Sequence, residues 1–226
     1  MSAKTEAAVG AEGAKLSPQF QLAHHFDKPD TQFDAGRMGV WLFLVTEILL
    51  FGGLFCAFAI FRSKYFASFV EAHHHLDRVM GGINTLVLIC SSFTMALGVR
   101  SAQKNETKKT TALLLITLIC AGIFLVVKYF EYTHKIHDGL LPGRFFTAAD
   151  FESGHPGIFF AIYFMMTGIH GLHVVIGMGL ITWILLRNQK NEFSSRYYAP
   201  VENVGLYWHL VDLVWIYLFP LLYLVG

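Results

Sequence analysis

Apolar residues in this chain are grouped in blocks. From Met38 to Phe61 a single charged residue, Glu47, interrupts an apolar run. Further runs cover Gly81–Val99, Thr110–Thr133, Pro156–Leu186 and Asn203–Val225. Each comes close to or exceeds the roughly 20 residues a helix needs to cross a bilayer's hydrocarbon core. None alternates as a barrel strand does, and backbone in lipid must satisfy its own hydrogen bonds. The pattern therefore predicts an all-α, polytopic membrane protein, a bundle of five transmembrane helices. Pro156–Leu186 is long enough to tilt or to project from the membrane. Residues 1–37 are polar and lack the apolar core of a signal peptide, so they are expected to form a cytoplasmic tail. The first span is expected to act as its own uncleaved insertion signal.

The basic residues predict an orientation. Lys4, Lys15, Lys28 and Arg37 precede the first span; Arg100, Lys104, Lys108 and Lys109 follow the second; Arg187, Lys190 and Arg196 follow the fourth. Arg62, Lys64, Arg78, Lys135 and Arg144 lie on the other side. The excess of about two to one places the N-terminus in the cytoplasm and the C-terminus on the opposite, periplasmic side. Composition agrees with a membrane domain: 54% of residues are hydrophobic and 15% charged. A net charge of +1 gives no basis for a nucleic-acid partner. Cys56, Cys90 and Cys120 lie inside apolar runs and are read as small packing residues. Three consecutive histidines, His73, His74 and His75, make a poor cage for one metal ion, because neighbouring side chains diverge. No metal site is expected.

Polar groups at membrane depth are the candidates for function. Glu47 sits near the middle of its span, where a carboxylate loses hydration; it is expected to hold its proton and face the interior or a lipid cleft. Lys128, Glu131 and Lys135 have helical pairing spacings. They are read as an ion pair near the outer interface, with Lys128 reaching toward the headgroups, or as a contact of Glu131 with lipid or another subunit. His170 and His173, three apart, are read as neutral and hydrogen-bonded across helices rather than as haem ligands. Gly168, Gly171, Gly177 and Gly179 beside them permit close approach of a helix or lipid. His209 and Asp212 are read as an internal polar clasp within reach of a fourth-span histidine, flanked by Trp208 and Trp215.

Four segments resemble subunit III of the haem-copper respiratory oxidases, in its five-helix bacterial form. They are Thr-Glu-Ile-Leu-Leu-Phe around Glu47, Phe130-Glu131-Tyr132, Thr167-Gly-Ile-His-Gly-Leu-His-Val174 and Tyr207-Trp-His-Leu-Val-Asp-Leu-Val-Trp215. The resemblance spans almost all of the chain after Met38. It implies an accessory subunit without a redox centre, in a proton-pumping cytochrome c oxidase whose haems and copper are held by partner subunits I and II. It also implies bound phospholipids, an oxygen path near Glu47 and support of sustained proton uptake, in a bacterial inner membrane. Membership of a respiratory supercomplex stays open. On this reading Glu131, His170, His173, His209, Asp212, Trp208 and Trp215 make polar, lipid or subunit contacts. Larger members have two further helices, so the lipid cleft they close is not expected from this chain alone. Lys128 has no counterpart in the family pattern. A quinol oxidase subunit III and, from a different class, a free-standing proton-coupled carrier remain as alternatives; a carrier is disfavoured by the lack of an internal repeat.

Overall fold

The computed structural model describes residues 24, 29–147, 151, 154–193 and 197–224. Its helices are α1 (Pro29–Lys64), α2 (Phe66–His73), α3 (Arg78–Gln103), α4 (Thr107–His137), α5 (Pro156–Gln189) and α6 (Ala199–Phe219). A π-helical turn, Pro220–Leu224, continues α6, and a 3-10 turn covers Gly143–Phe145. Five of the helices are long and apolar enough to cross a membrane, as the blocks predict. α2 has no counterpart in that prediction: at eight residues it is too short to register as a span. α1 begins at Pro29, ahead of its apolar run. Most of the expected N-terminal tail, with Lys4, Lys15 and Lys28, lies outside the described residues, as does Arg196.

Local chemistry sets the helix ends. Asp77 caps α3, its Oδ1 accepting from the backbone N–H groups of Val79 at 2.8 Å and Met80 at 3.0 Å. Proline near the start of α5 and of α6 costs no helical hydrogen bond there. The chain leaves α3 and α5 through Asn105 (φ 59°) and Asn191 (φ 53°), a left-handed conformation that asparagine tolerates. The Asn188 side-chain amide ties these two turns, donating to the Thr107 carbonyl at 3.0 Å and Thr111 Oγ1 at 2.9 Å.

α3 and α4 form a tight hairpin, and α6 packs against α3, α5 and α1. Half of the most apolar stretch of α6 is buried, against 17% for α1, so α6 is the centre and α1 the periphery. Gly177 lets α5 and α6 meet: a Cβ there would lie 2.7 Å from the Trp208 ring. Gly171 and Gly179 face open space instead, and Gly168 meets only Tyr132 Oη, at 3.8 Å. The glycines thus do not form one packing stripe. Cys56 and Cys90 are exposed on the apolar exterior rather than packed inside. The far end of the bundle holds the close of α1, α4 and α6 and the starts of α3 and α5. There Phe219 and Tyr223 pack over Gly81.

Candidate functional site

Two polar centres lie within the spans. The first joins α1 to α5. Glu47 Oε2 is 2.8 Å from His173 Nε2, and the two side chains are 13% and 12% exposed. The other imidazole nitrogen, Nδ1, donates to the Ile169 carbonyl at 2.7 Å. A carbonyl only accepts, so Nδ1 carries a hydrogen. A neutral His173 must then accept at Nε2, and Glu47 must be the donor; otherwise the pair is imidazolium and carboxylate. One proton is shared either way. Tyr207 donates to the His173 backbone carbonyl at 3.0 Å, and Phe51 packs edge-on against the imidazole at 5.3 Å. The pair is covered but not sealed, and it lies on α1, the least buried of the five spans.

The second centre lies at the far end, inside the bundle. Lys128 Nζ donates to Glu131 Oε2 at 2.8 Å, Tyr223 Oη at 2.8 Å and Tyr163 Oη at 3.2 Å. Glu131 Oε1 accepts from Tyr223 at 2.6 Å and Tyr163 at 2.9 Å, and Lys135 Nζ lies 3.7 Å away. Lys128, Glu131 and Lys135 are all buried. The expected ion pair is present, but Lys128 is buried among the tyrosines and does not reach for the headgroups. The tyrosines of α5 and of the π-turn supply better partners than an interface would, and the Trp215 ring lies 4.7 Å from the ammonium. The same cluster accounts for Lys128: it joins α4 to α5 and to the turn that ends α6. Neither Tyr163 nor Tyr223 stands out in the sequence, because both owe their role to packing between distant segments.

The remaining residues part company with the sequence reading. His170 and His173 diverge, since three residues along a helix leave a rotation of about 60°. His170 is fully buried between Phe124 and Trp215, and neither of its ring nitrogens has a hydrogen-bond partner. It makes no bond across helices. His209 does not clasp Asp212; its Nδ1 pairs with Ser92 Oγ of α3 at 2.7 Å. Ser92 also lies beside Asp212, but no hydrogen bond of ordinary geometry reaches either Asp212 oxygen. Trp208 and Trp215 are buried, and their indole N–H groups donate to Ser91 Oγ at 3.0 Å and Thr85 Oγ1 at 3.1 Å. They fasten α6 to α3 and do not face lipid. Among the described residues no three His, Cys, Asp or Glu side chains converge as metal ligands.

The structure thus holds a half-buried Glu–His pair on a peripheral helix and a buried Lys–Glu–Tyr cluster. Residues 28–226 match the family model of cytochrome c oxidase subunit III. The chain belongs to that family. It is 36% identical to a cytochrome c oxidase subunit 3 of Synechocystis sp. over 89% of this chain and 78% of the relative. It is 31% identical to the quinol oxidase subunit 3 of Bacillus subtilis over 86% of this chain and 91% of the relative. A heme-copper oxidase subunit I+III of Aeropyrum pernix is 30% identical over 85% of this chain, which matches 23% of that longer protein. The chain is thus a multi-pass subunit III of a haem-copper oxidase, and it works in a complex with other oxidase subunits.

Proposed function

We propose that this subunit is the non-redox accessory member of a proton-pumping oxidase and lies against subunits I and II, which hold the haems and copper. Three histidines of the spans are already committed or enclosed: His170 between aromatic rings, His173 to Glu47, His209 to Ser92. The observation that carries the reading is the Glu47–His173 pair, which stands at membrane depth on the least buried helix. There it offers a polar anchor beside bound phospholipid and a lipid-lined route for oxygen, and supports sustained proton uptake by the neighbouring subunit. A relative that carries subunits I and III on one chain supports direct contact with subunit I. The membrane is a bacterial cytoplasmic membrane, with the N-terminus inside. Cytochrome c is the proposed electron donor; the quinol oxidase relatives make quinol the second reading, and a copper domain on subunit II decides for cytochrome c.

Glu47→Gln in the intact oxidase tests this. The haem spectrum stays as in wild type, turnover changes only modestly, and a protonated-carboxyl infrared band disappears. Loss of the haem signal would sink the proposal; no such band in the wild type at neutral pH would make the pair imidazolium and carboxylate.

A further inference from the structure

The buried ions at the far end of the bundle do not balance. Lys128 and Lys135 bring two ammonium groups, and Glu131 is the carboxylate they share. Lys128 is well supplied, with acceptors at 2.8, 2.8 and 3.2 Å. Lys135 is not. It is 3% exposed, yet its Nζ lies 3.7 Å from Glu131 Oε1 and 3.4 Å from the His75 carbonyl oxygen. A charge-assisted N–H···O bond is normally about 2.7–2.9 Å long. Glu131 has little left to offer: Oε1 already accepts from Tyr223 and Tyr163, and Oε2 from Lys128.

Buried charges are normally paired, and this surplus cation faces a cavity of about 570 Å³. Lys135 and Glu131 line it from within; His74, His75, His134 and Asp77, all exposed, line it nearer the surface. Each imidazole can turn an N–H toward an anion. The other carboxylates whose charge reaches Lys135 are Asp77 and Asp138. Asp77 Oδ1 is engaged by the first backbone N–H groups of α3, and Asp138 stands 3.5 Å from His134. Among the described residues, Lys135 forms an ion pair with neither. From α5, Tyr163 presents its ring 5.5 Å from the ammonium, while its hydroxyl donates to Glu131.

A lysine ammonium is a compact point charge, whereas phosphate and carboxylate groups are best met by a planar fork. We propose that this cavity binds a small, halide-sized monoanion against Lys135 Nζ, with imidazole N–H groups completing its shell. Two negative charges, Glu131 and the bound ion, then face two ammonium groups. The cavity has room for the ion and part of its water. Asp77 and Asp138 near the mouth disfavour anions of higher charge. The ion fastens the connection between α2 and α3 to the end of α4. The site shares no residue with the Glu47–His173 pair and stands whatever that pair does.

Sodium bromide is the probe. The intact oxidase is titrated with it in halide-free buffer, and the temperature at which this subunit loses protease resistance is recorded. The wild type gains about 3–6 °C once bromide exceeds its dissociation constant tenfold. Lys135→Met, which leaves Lys128 and Glu131 as an equal pair, shows only the general salt effect. A wild-type crystal soaked in bromide carries an anomalous peak within hydrogen-bonding reach of Lys135 Nζ. Parallel curves in wild type and Lys135→Met would overturn the site, whether because Lys135 has given up its proton or because any peak is an adventitious ion only. Absence of the peak would overturn it even if Lys135→Met fails to assemble. The same gain from phosphatidylglycerol in halide-free buffer would make the ligand a lipid phosphate, and the assignment would fall.

Discussion

Lys128 and Glu131 are buried and paired at 2.8 Å. A buried pair of this kind adds little net stability compared with an apolar pair, but breaking it leaves one charge alone. Lys128→Met is therefore expected to destabilise the subunit by about 3 kcal/mol or more, with Lys135 offsetting part of the loss. Adding Glu131→Gln to that variant should restore much of it. Thermal unfolding of the purified complex, comparing the single with the double variant, checks this. Equal loss in both would mean the charges are not coupled. The helical spacing of Lys128 and Glu131 is legible in the sequence, because it depends only on neighbouring turns of one helix. Tyr163 and Tyr223 are not, since their place beside Lys128 depends on how α5 and the π-turn are brought to α4. The same holds for Glu47 and His173, which lie on different helices and meet only through interhelical register. His170 shows the opposite failure: its motif invites a polar role, and packing gives it aromatic rings and no partner.

Among the elements, the spans were readable from length and apolarity, because lipid leaves a helix few alternatives. What the pattern could not show is which helix lies at the centre, since every span is mostly apolar and its lipid-facing and core-facing residues look alike. Close approach decides that. At Gly177 a Cβ would stand 2.7 Å from Trp208, whose N–H is already held by Ser91. Gly177→Leu should cost about 1–3 kcal/mol by overpacking, while Gly179→Leu, in open space, should be nearly neutral. Melting of the two variants separates these outcomes, and similar losses would contradict the α5–α6 packing described here. α2 and the connection after it carry a pH-sensitive element. The His73 side chain is buried, and burial makes its affinity for a proton lower in the fold than in the unfolded chain, whose histidine value is near 6.5. Its contribution to stability is therefore complete above about pH 6.5 and is lost as the pH falls through the lower folded value. His73→Asn should flatten the fall in melting temperature between neutral and mildly acidic pH, and an unchanged slope would place the effect elsewhere.

For the whole molecule, the order of packing explains why the chain suits an accessory role. α6 is the buried post, α3, α4 and α5 surround it, and α1 leans on the outside with its Glu47–His173 pair and much apolar surface uncovered. A subunit of this kind gains from neighbours. The most direct test is to purify the oxidase through a tag on this chain and record reduced-minus-oxidised spectra of the complex and of the chain alone. The account predicts that subunits I and II co-purify with their haem signal and that the separated chain shows none. A haem spectrum from the chain alone, or its recovery without oxidase subunits under mild detergent, would contradict it.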